Sequence, residues 1–156
     1  ADGSPDPAFV LNEPRSRTAR VLVTGQNFGC GSSREHAVWA LLGAGFRAVI
    51  SSAFADIFRG NALGNGLLPI EVGAAHLDRL LAEDRADAEV GVDLERTMVT
   101  LPDGEAFTFP VPPFARHCLL HGLDEMQFLL GANAEVDRYE RGVRASFDTR
   151  QASVPA

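Results

Sequence analysis

At 156 residues the chain is long enough to bury one sizeable core, and with 46% hydrophobic and 22% charged residues it has the balance of an ordinary globular domain, not of a disordered chain. A formal net charge of -7 argues against nucleic acid and against anionic membrane as partners. All 14 basic residues are arginine, which removes Schiff-base and P-loop lysine chemistry and leaves arginine forks to bind any carboxylate.

In chain order, residues 1–8 are small, polar and proline-bearing and are expected as a disordered lead-in. Phe9-Val10-Leu11 reads as a short strand or a docking turn, and 15–18 as a polar link. The apolar run over 19–24 predicts a strand, and a helix is expected from about Ser33 to Leu42, stopped by Gly43-Ala44-Gly45. Residues 46–51 then predict a second, buried strand. Strand, helix and strand make a βαβ unit with parallel strands. The segment Asn27-Phe28-Gly29-Cys30-Gly31-Ser32-Ser33-Arg34-Glu35-His36 therefore lies at the carboxyl end of a parallel strand, where open α/β sheets place ligands.

Residues 52–59 predict a short capped helix, 60–66 a loop rich in glycine and asparagine, 67–72 a strand and 74–82 an amphipathic helix. Alternation over 88–94, 97–101 and 106–110, with a turn at Pro102-Asp103-Gly104, predicts an antiparallel meander. Beyond the break at Pro112-Pro113, helical stretches are expected near 115–121, 124–130 and 133–141, and 142–156 reads as a polar tail.

The glycine turn is the candidate site. Ser32 or Ser33 suits a helix N-cap, and Gly29 and Gly31 permit backbone angles or approaches that a Cβ would forbid. Unpaired N–H groups at a helix start, two hydroxyls and a guanidinium converging on one point would seat a carboxylate. Spacing alone leaves a plain capped helix equally open. Arg34 in a first turn would oppose the helix dipole and so asks for another role. A dinucleotide fingerprint is disfavoured because Arg34 replaces the third glycine, and the G-x-S-x-G elbow spacing is absent.

Outside the turn, the bland readings are preferred. His117 and His121 share a helix face as metal ligands can, but lack an evident acidic third ligand, so packing or surface roles are expected and no metal site is assigned. Cys30 is expected as a small buried side chain, His36 in a structural hydrogen bond, Glu35 as favourable near a helix start, and Asp56 with Arg59 as a helix pair. Two cysteines, no signal peptide and no apolar run near the roughly 20 residues of a membrane span point to a reduced, cytoplasmic setting.

The segment from Asn27 to His36 resembles the signature of the small subunit of 3-isopropylmalate dehydratase, in the aconitase superfamily. Ser52-Ala53-Phe54-Ala55-Asp56-Ile57-Phe58, then Asn61 and Gly66-Leu67-Leu68-Pro69, is similar to that family's next motif in order and spacing. His117-Cys118-Leu119-Leu120 with Gly122-Leu123-Asp124 is similar to its C-terminal stretch.

The resemblance implies an α/β fold, a swivelling β/β/α domain over 9–141 with a mixed sheet or open barrel flanked by helices. It implies interconversion of 2- and 3-isopropylmalate by dehydration and rehydration in leucine biosynthesis, active only with a large subunit carrying a four-iron, four-sulfur cluster. Two cysteines cannot ligate a cubane cluster that usually takes four thiolates, so none is expected on this chain. By the same resemblance Ser32 is the base for a carbon-bound proton, while Ser33 and Arg34 hold a carboxylate of a small dicarboxylate. Self-association of the isolated chain, through the face meant for the large subunit, is also expected. Sister hydro-lyases acting on homoaconitate, citraconate or a related dicarboxylate, or a truncated carboxylate-binding domain without turnover, stay open. The family's usual aspartate-threonine-aspartate segment and recognition loop are not in this sequence, which is expected to be a fragment or a processed chain. Gly64 stands where relatives often have lysine.

Overall fold

The apolar runs pair as the periodicity predicts. Val21–Val23 (β1), Ala48–Ser51 (β2) and Leu68–Glu71 (β3) form a parallel sheet in the order β1-β2-β3, with Val49 opposite both Leu22 and Pro69. A proline is tolerated there because β3 is an edge strand, where a residue without an N–H costs the ladder least. His36–Gly43 (α1) and Asp56–Gly64 (α2) are the crossovers, and Ala74–Leu81 (α3) follows β3. Gly91–Asp93 (β4), Met98–Thr100 (β5) and Ala106–Thr108 (β6) make an antiparallel meander, followed by Pro113–His121 (α4). The mixed α/β architecture thus takes the form of two three-stranded sheets flanked by helices.

A computed structural model of the chain describes residues 4, 6–83, 85 and 88–142. Much of the expected lead-in (1–3 and 5) and almost all of the expected tail (143–156) lie outside the described residues. The chain forms two compact units, Ala1–Asp124 and Glu125–Ala156. Within the second, Glu125–Gly131 (α5) and Asn133–Gly142 (α6) occupy the expected helical stretches, with Met126, Leu129, Leu130 and Tyr139 exposed. No helix among the described residues is long and apolar enough to cross a membrane.

The core of the first unit follows from the period of two in β2. Ala48 and Ile50 join Leu68 and Ile70 of β3 on one face, packed with Leu77 and Leu80 of α3, Val99, Leu101 and Phe109. Val49 turns the other way, to Val38 of α1, Phe58 and Ala62 of α2, Phe46, Phe54 and Leu67. Both faces of the parallel sheet are covered, as such sheets require. Each fully buried aliphatic or phenyl side chain contributes about 1.5–3 kcal/mol.

Several local expectations are corrected. The predicted loop over 60–66 is mostly helix, because α2 runs through Gly60 to Gly64. It starts after Ala55 with no side-chain cap. Arg59 pairs with Glu71 at 3.1 Å, not with Asp56. The strand reading of Phe9-Val10-Leu11 is overturned: Val10–Asn12 is a 3-10 turn, fastened by Asp6, whose Oδ1 accepts the Ala8 N–H at 2.9 Å and whose carbonyl accepts Asn12 Nδ2 at 2.7 Å. The link over 15–18 falls within a second 3-10 turn, Pro14–Thr18.

An exposed ion cluster ties α3 to the turn between β5 and β6. Arg79 donates to both Asp103 and Glu105, and His76 lies 3.3 Å from Glu105 and stacks on Phe107. The Glu105 N–H donated to Asp103 at 3.0 Å, with Arg79 nearby, holds the Asp103 carboxyl below its ordinary 3.8. The Arg79 hydrogen bond does the same to Glu105, below its ordinary 4.5. Depressed carboxylate values give stability that is complete above the ordinary range and lost as pH falls through the folded values. Arg79→Ala is therefore expected to lower the unfolding temperature slightly at pH 7. The difference should shrink towards zero as pH falls below the ordinary carboxylate range, and in about 1 M salt, as for an exposed pairing. A difference that persists in acid would make the contact one of packing.

Candidate functional site

The signature segment leaves β1 still paired, since the Thr24 N–H donates to Ile50 O at 2.9 Å. Ser51, fully buried at the end of β2, takes over: its Oγ lies 2.7 Å from Gly25 O and 2.8 Å from Ala53 O and accepts the Ala53 N–H at 3.3 Å. Its single proton serves one carbonyl at a time. Phe28 then bridges to the second motif, donating its N–H to Ala53 O at 3.1 Å and accepting the Ala55 N–H at 2.9 Å.

The Phe28 ring meets Phe58 of α2 edge-on, with centroids 5.1 Å apart, and Phe58 stacks on Phe54 at 6.1 Å. Gly29, with φ +85°, passes directly beneath Phe58, and a Cβ there would stand 2.3 Å from Phe58 Cγ. Glycine is thus required twice at 29, for the backbone angle and for the approach. Gly31 has open space where a Cβ would lie and takes no such angle, so the geometry demands one of the two glycines that the sequence singles out. Asn27, at φ 59°, adopts the left-handed conformation that asparagine tolerates better than most residues.

Helix α1 starts later than expected, at His36, with Glu35 as its N-cap residue and no side-chain cap bond. Ser32 and Ser33 are therefore not the helix cap. Ser32 Oγ instead accepts the Arg34 N–H at 3.1 Å, a local serine turn. The N–H groups of Ala37, Val38 and Trp39 go to the carbonyls of Arg34 and Glu35, so the helix-start donors from Ala37 onward are taken up within the chain. Arg34 precedes the helix and does not oppose its dipole from within. What the loop does bring together is a half-buried Ser32, an exposed Ser33 and an exposed Arg34 whose guanidinium takes no partner among the described residues. This set is hydroxyl, hydroxyl and fork, sufficient to grip a carboxylate beside a hydrogen-bonded serine oxygen.

The other candidates do not add to this set. Cys30 is exposed, which overturns the buried reading. His36 is exposed and its ring packs 4.7 Å from that of Trp39. His117 and His121 share a face of α4, with rings 4.2 Å apart and His121 Nδ1 2.8 Å from His117 O, while Cys118 is buried. No group of three or more His, Cys, Asp or Glu fit to hold a metal occurs among the described residues. A hollow of about 490 Å³ at the carboxyl ends of the strands is lined by Gln26, Ser52 and Glu71 among others, and not by Ser32, Ser33 or Arg34.

Sequence reasoning missed Ser51 and Asn65. Asn65 Oδ1 accepts the Trp39 indole N–H at 2.8 Å, while its Nδ2 donates to Asn61 O at 2.8 Å and to Glu35 Oε1 at 3.4 Å. The available signals were a lone tryptophan, which needs an acceptor when half-covered, and an Asn-Gly pair closing a helix.

The Aconitase C-terminal domain family matches residues 1–75. The 3-isopropylmalate dehydratase small subunit of Roseiflexus sp. (strain RS-1) is 55% identical over 142 residues, covering 90% of this chain and 70% of that protein. Its counterpart in Anaeromyxobacter dehalogenans (strain 2CP-C) is 56% identical over 144 residues, covering 92% and 74%. Among solved structures, 3-isopropylmalate dehydratase from Methanocaldococcus jannaschii aligns with a TM-score of 0.60 at 31% identity, over 76% of this chain and 68% of that one.

Gly29→Ala should destabilise the chain by about 2–4 kcal/mol, combining backbone strain with overpacking against Phe58. Gly31→Ala should stay within about 0.5 kcal/mol. Denaturant unfolding of the pair checks this, and equal effects at the two positions would refute the steric reading of Gly29.

Proposed function

The chain belongs to the family of 3-isopropylmalate dehydratase small subunits, and from that premise we propose that its residue 32–34 loop supplies the base and one carboxylate clamp for a hydro-lyase reaction on isopropylmalate. One observation carries the reading of the loop: Ser32 Oγ already accepts the Arg34 backbone N–H, in the segment that follows β1, beside a guanidinium that has no partner among the described residues.

A serine hydroxyl is a poor base unless its alkoxide is stabilised. A backbone donor aimed at the oxygen favours the ionised form, and the Arg34 charge adds to it. In this reading a substrate carboxylate sits on Arg34 and the Ser33 hydroxyl, which places the adjacent C–H bond against Ser32. The Ser32 oxygen takes that proton, the C–H electron pair becomes the new carbon–carbon π bond, and the hydroxyl leaves the neighbouring carbon. In the return direction the protonated Ser32 gives the proton back.

Departure of the hydroxyl falls to groups outside this chain. Its own thiols do not fit an iron–sulfur cluster, for Cys30 is exposed in the glycine turn and Cys118 is buried in α4. The cluster is accordingly assigned to a large subunit, a partner that the small-subunit names of the relatives support. The exposure of Ser33 and Arg34 also supports a site completed by a second surface.

The test is co-purification with a cluster-loaded large subunit under anaerobic conditions, followed by hydration and dehydration assays on the complex. Ser32→Ala should leave the complex intact and lower kcat by about 10³-fold, at the scale of losing a general base. Arg34→Ala should raise KM by roughly 10- to 100-fold, the worth of one charge-assisted hydrogen-bonded contact, and Arg34→Lys should recover only part of it. Turnover undiminished in the Ser32→Ala complex would sink the base assignment.

A further inference from the structure

We propose that Asn65 is a positioning residue for the loop of residues 32–34, and that α2 is the splint through which it acts. The loop is weakly tied within itself. Its internal bonds are Cys30 N–H to Asn27 O and Ser32 N–H to Gly29 O, both at 3.4 Å, and Arg34 N–H to Ser32 Oγ at 3.1 Å. No side-chain cap fixes the start of α1. Its shape is consequently set by how its two ends are held.

Both ends are held by α2. At the N-terminus of α2, the Ala55 N–H donates to Phe28 O, and Phe58 seats on Gly29, which fixes the entry to the loop. At its C-terminus, Asn65 is the C-cap residue; it accepts the Trp39 indole N–H at 2.8 Å and donates, at a longer 3.4 Å, to Glu35, the N-cap residue of α1, which ties down the exit. Between them lie nine helical residues, a rod of about 13 Å anchored in the core by Phe58 and Ala62. A rigid rod clamped at both ends of a loop sets the distance that the loop must span.

The chemistry of position 65 is specific to an amide. Trp39 Nε1 can only donate, whereas the Asn61 carbonyl and the Glu35 carboxylate can only accept. Asn65 satisfies both sides with Oδ1 towards the indole and Nδ2 towards the two oxygens. Aspartate of the same shape would keep the indole bond but lose both donors and set a negative charge against Glu35. The catalytic consequence rests on the reading of Ser32 and Arg34 given above, while the mechanical one does not.

The experiment separates the two. Asn65→Ala and Asn65→Asp are made in the whole chain and in the complex with its large subunit. Trp39 is the only tryptophan, so its emission reports the Asn65 bond directly. Expected are a shifted and more quenchable Trp39 emission, and amide exchange over residues 29–39 faster by about tenfold or more, with exchange in β2 and β3 unchanged. In the active complex kcat should fall by about tenfold or more and by a larger factor than KM rises, because proton transfer is more sensitive to misplacement than carboxylate binding. Adding Glu35→Gln to Asn65→Asp should restore part of the loss, since the amide at 35 can donate to the carboxylate at 65 and re-form that bond in the opposite direction, while the bond to Asn61 O stays lost. Unchanged exchange over 29–39 in both variants would overturn the proposal, as would a loosened loop with undiminished kcat. If the unaltered complex has no turnover, the functional reading has failed, and exchange with Trp39 emission still decides the role of Asn65.

Discussion

Phe58 can lie where it does only because residue 29 has no Cβ. That contact joins the two motifs of the sequence. It places the first turn of α2 under the glycine turn, sets Phe28 edge-on to the same ring, and lets Phe54 stack behind. The rings belong to the apolar cluster that also holds Val38 of α1 and Ala62 of α2. A shift of the glycine turn would therefore disturb buried packing, which is dense and strain-transmitting, and not merely a surface loop. The site's rigidity is borrowed from the core.

The parallel sheet decides where that rigidity is delivered. Because β2 is covered on both faces, its strand ends are where backbone emerges from the layers, and the β1 end leads into the serine pair. Ser51 shows how tightly this exit is managed. It is a fully buried polar side chain at the last residue of β2, and it joins the exit of β1 to the entry of the second motif through Gly25 and Ala53. A buried hydroxyl without such partners would cost roughly 1–3 kcal/mol, so its place is fixed as firmly as that of an apolar neighbour.

What could be read in the sequence was whatever depends on period and punctuation. Strand, glycine turn, helix and glycine stop gave the βαβ unit, and the alternation after residue 88 gave the meander. What could not be read were choices between two local hydrogen-bond schemes, or between propensity and burial. Ser32 had the composition of an N-cap, yet its hydroxyl closes a turn on Arg34, and the helix waits until His36. Gly60 and Gly64 are each worth about 1 kcal/mol against a helix. The helix persists because Phe58 and Ala62 on its inner face are fully or almost fully buried, which outweighs that cost. Asn65 was hidden for a further reason: its partners on the α1 side are 26 and 30 residues away, and no local pattern encodes them.

The exposure of Ser33 and Arg34 follows from the same arrangement and bears on how the site works. In open water a carboxylate–guanidinium pair is worth about 0–1 kcal/mol, and a serine alkoxide would be protonated at once. The same groups under a second surface act at a much lower effective dielectric, where a donor aimed at an oxygen gains several-fold in energy. On the proposed reading, then, this chain contributes geometry and its partner contributes the low dielectric that makes the geometry effective. A loop whose backbone is tied at both ends suits that division, because less backbone ordering entropy is left for the encounter to supply.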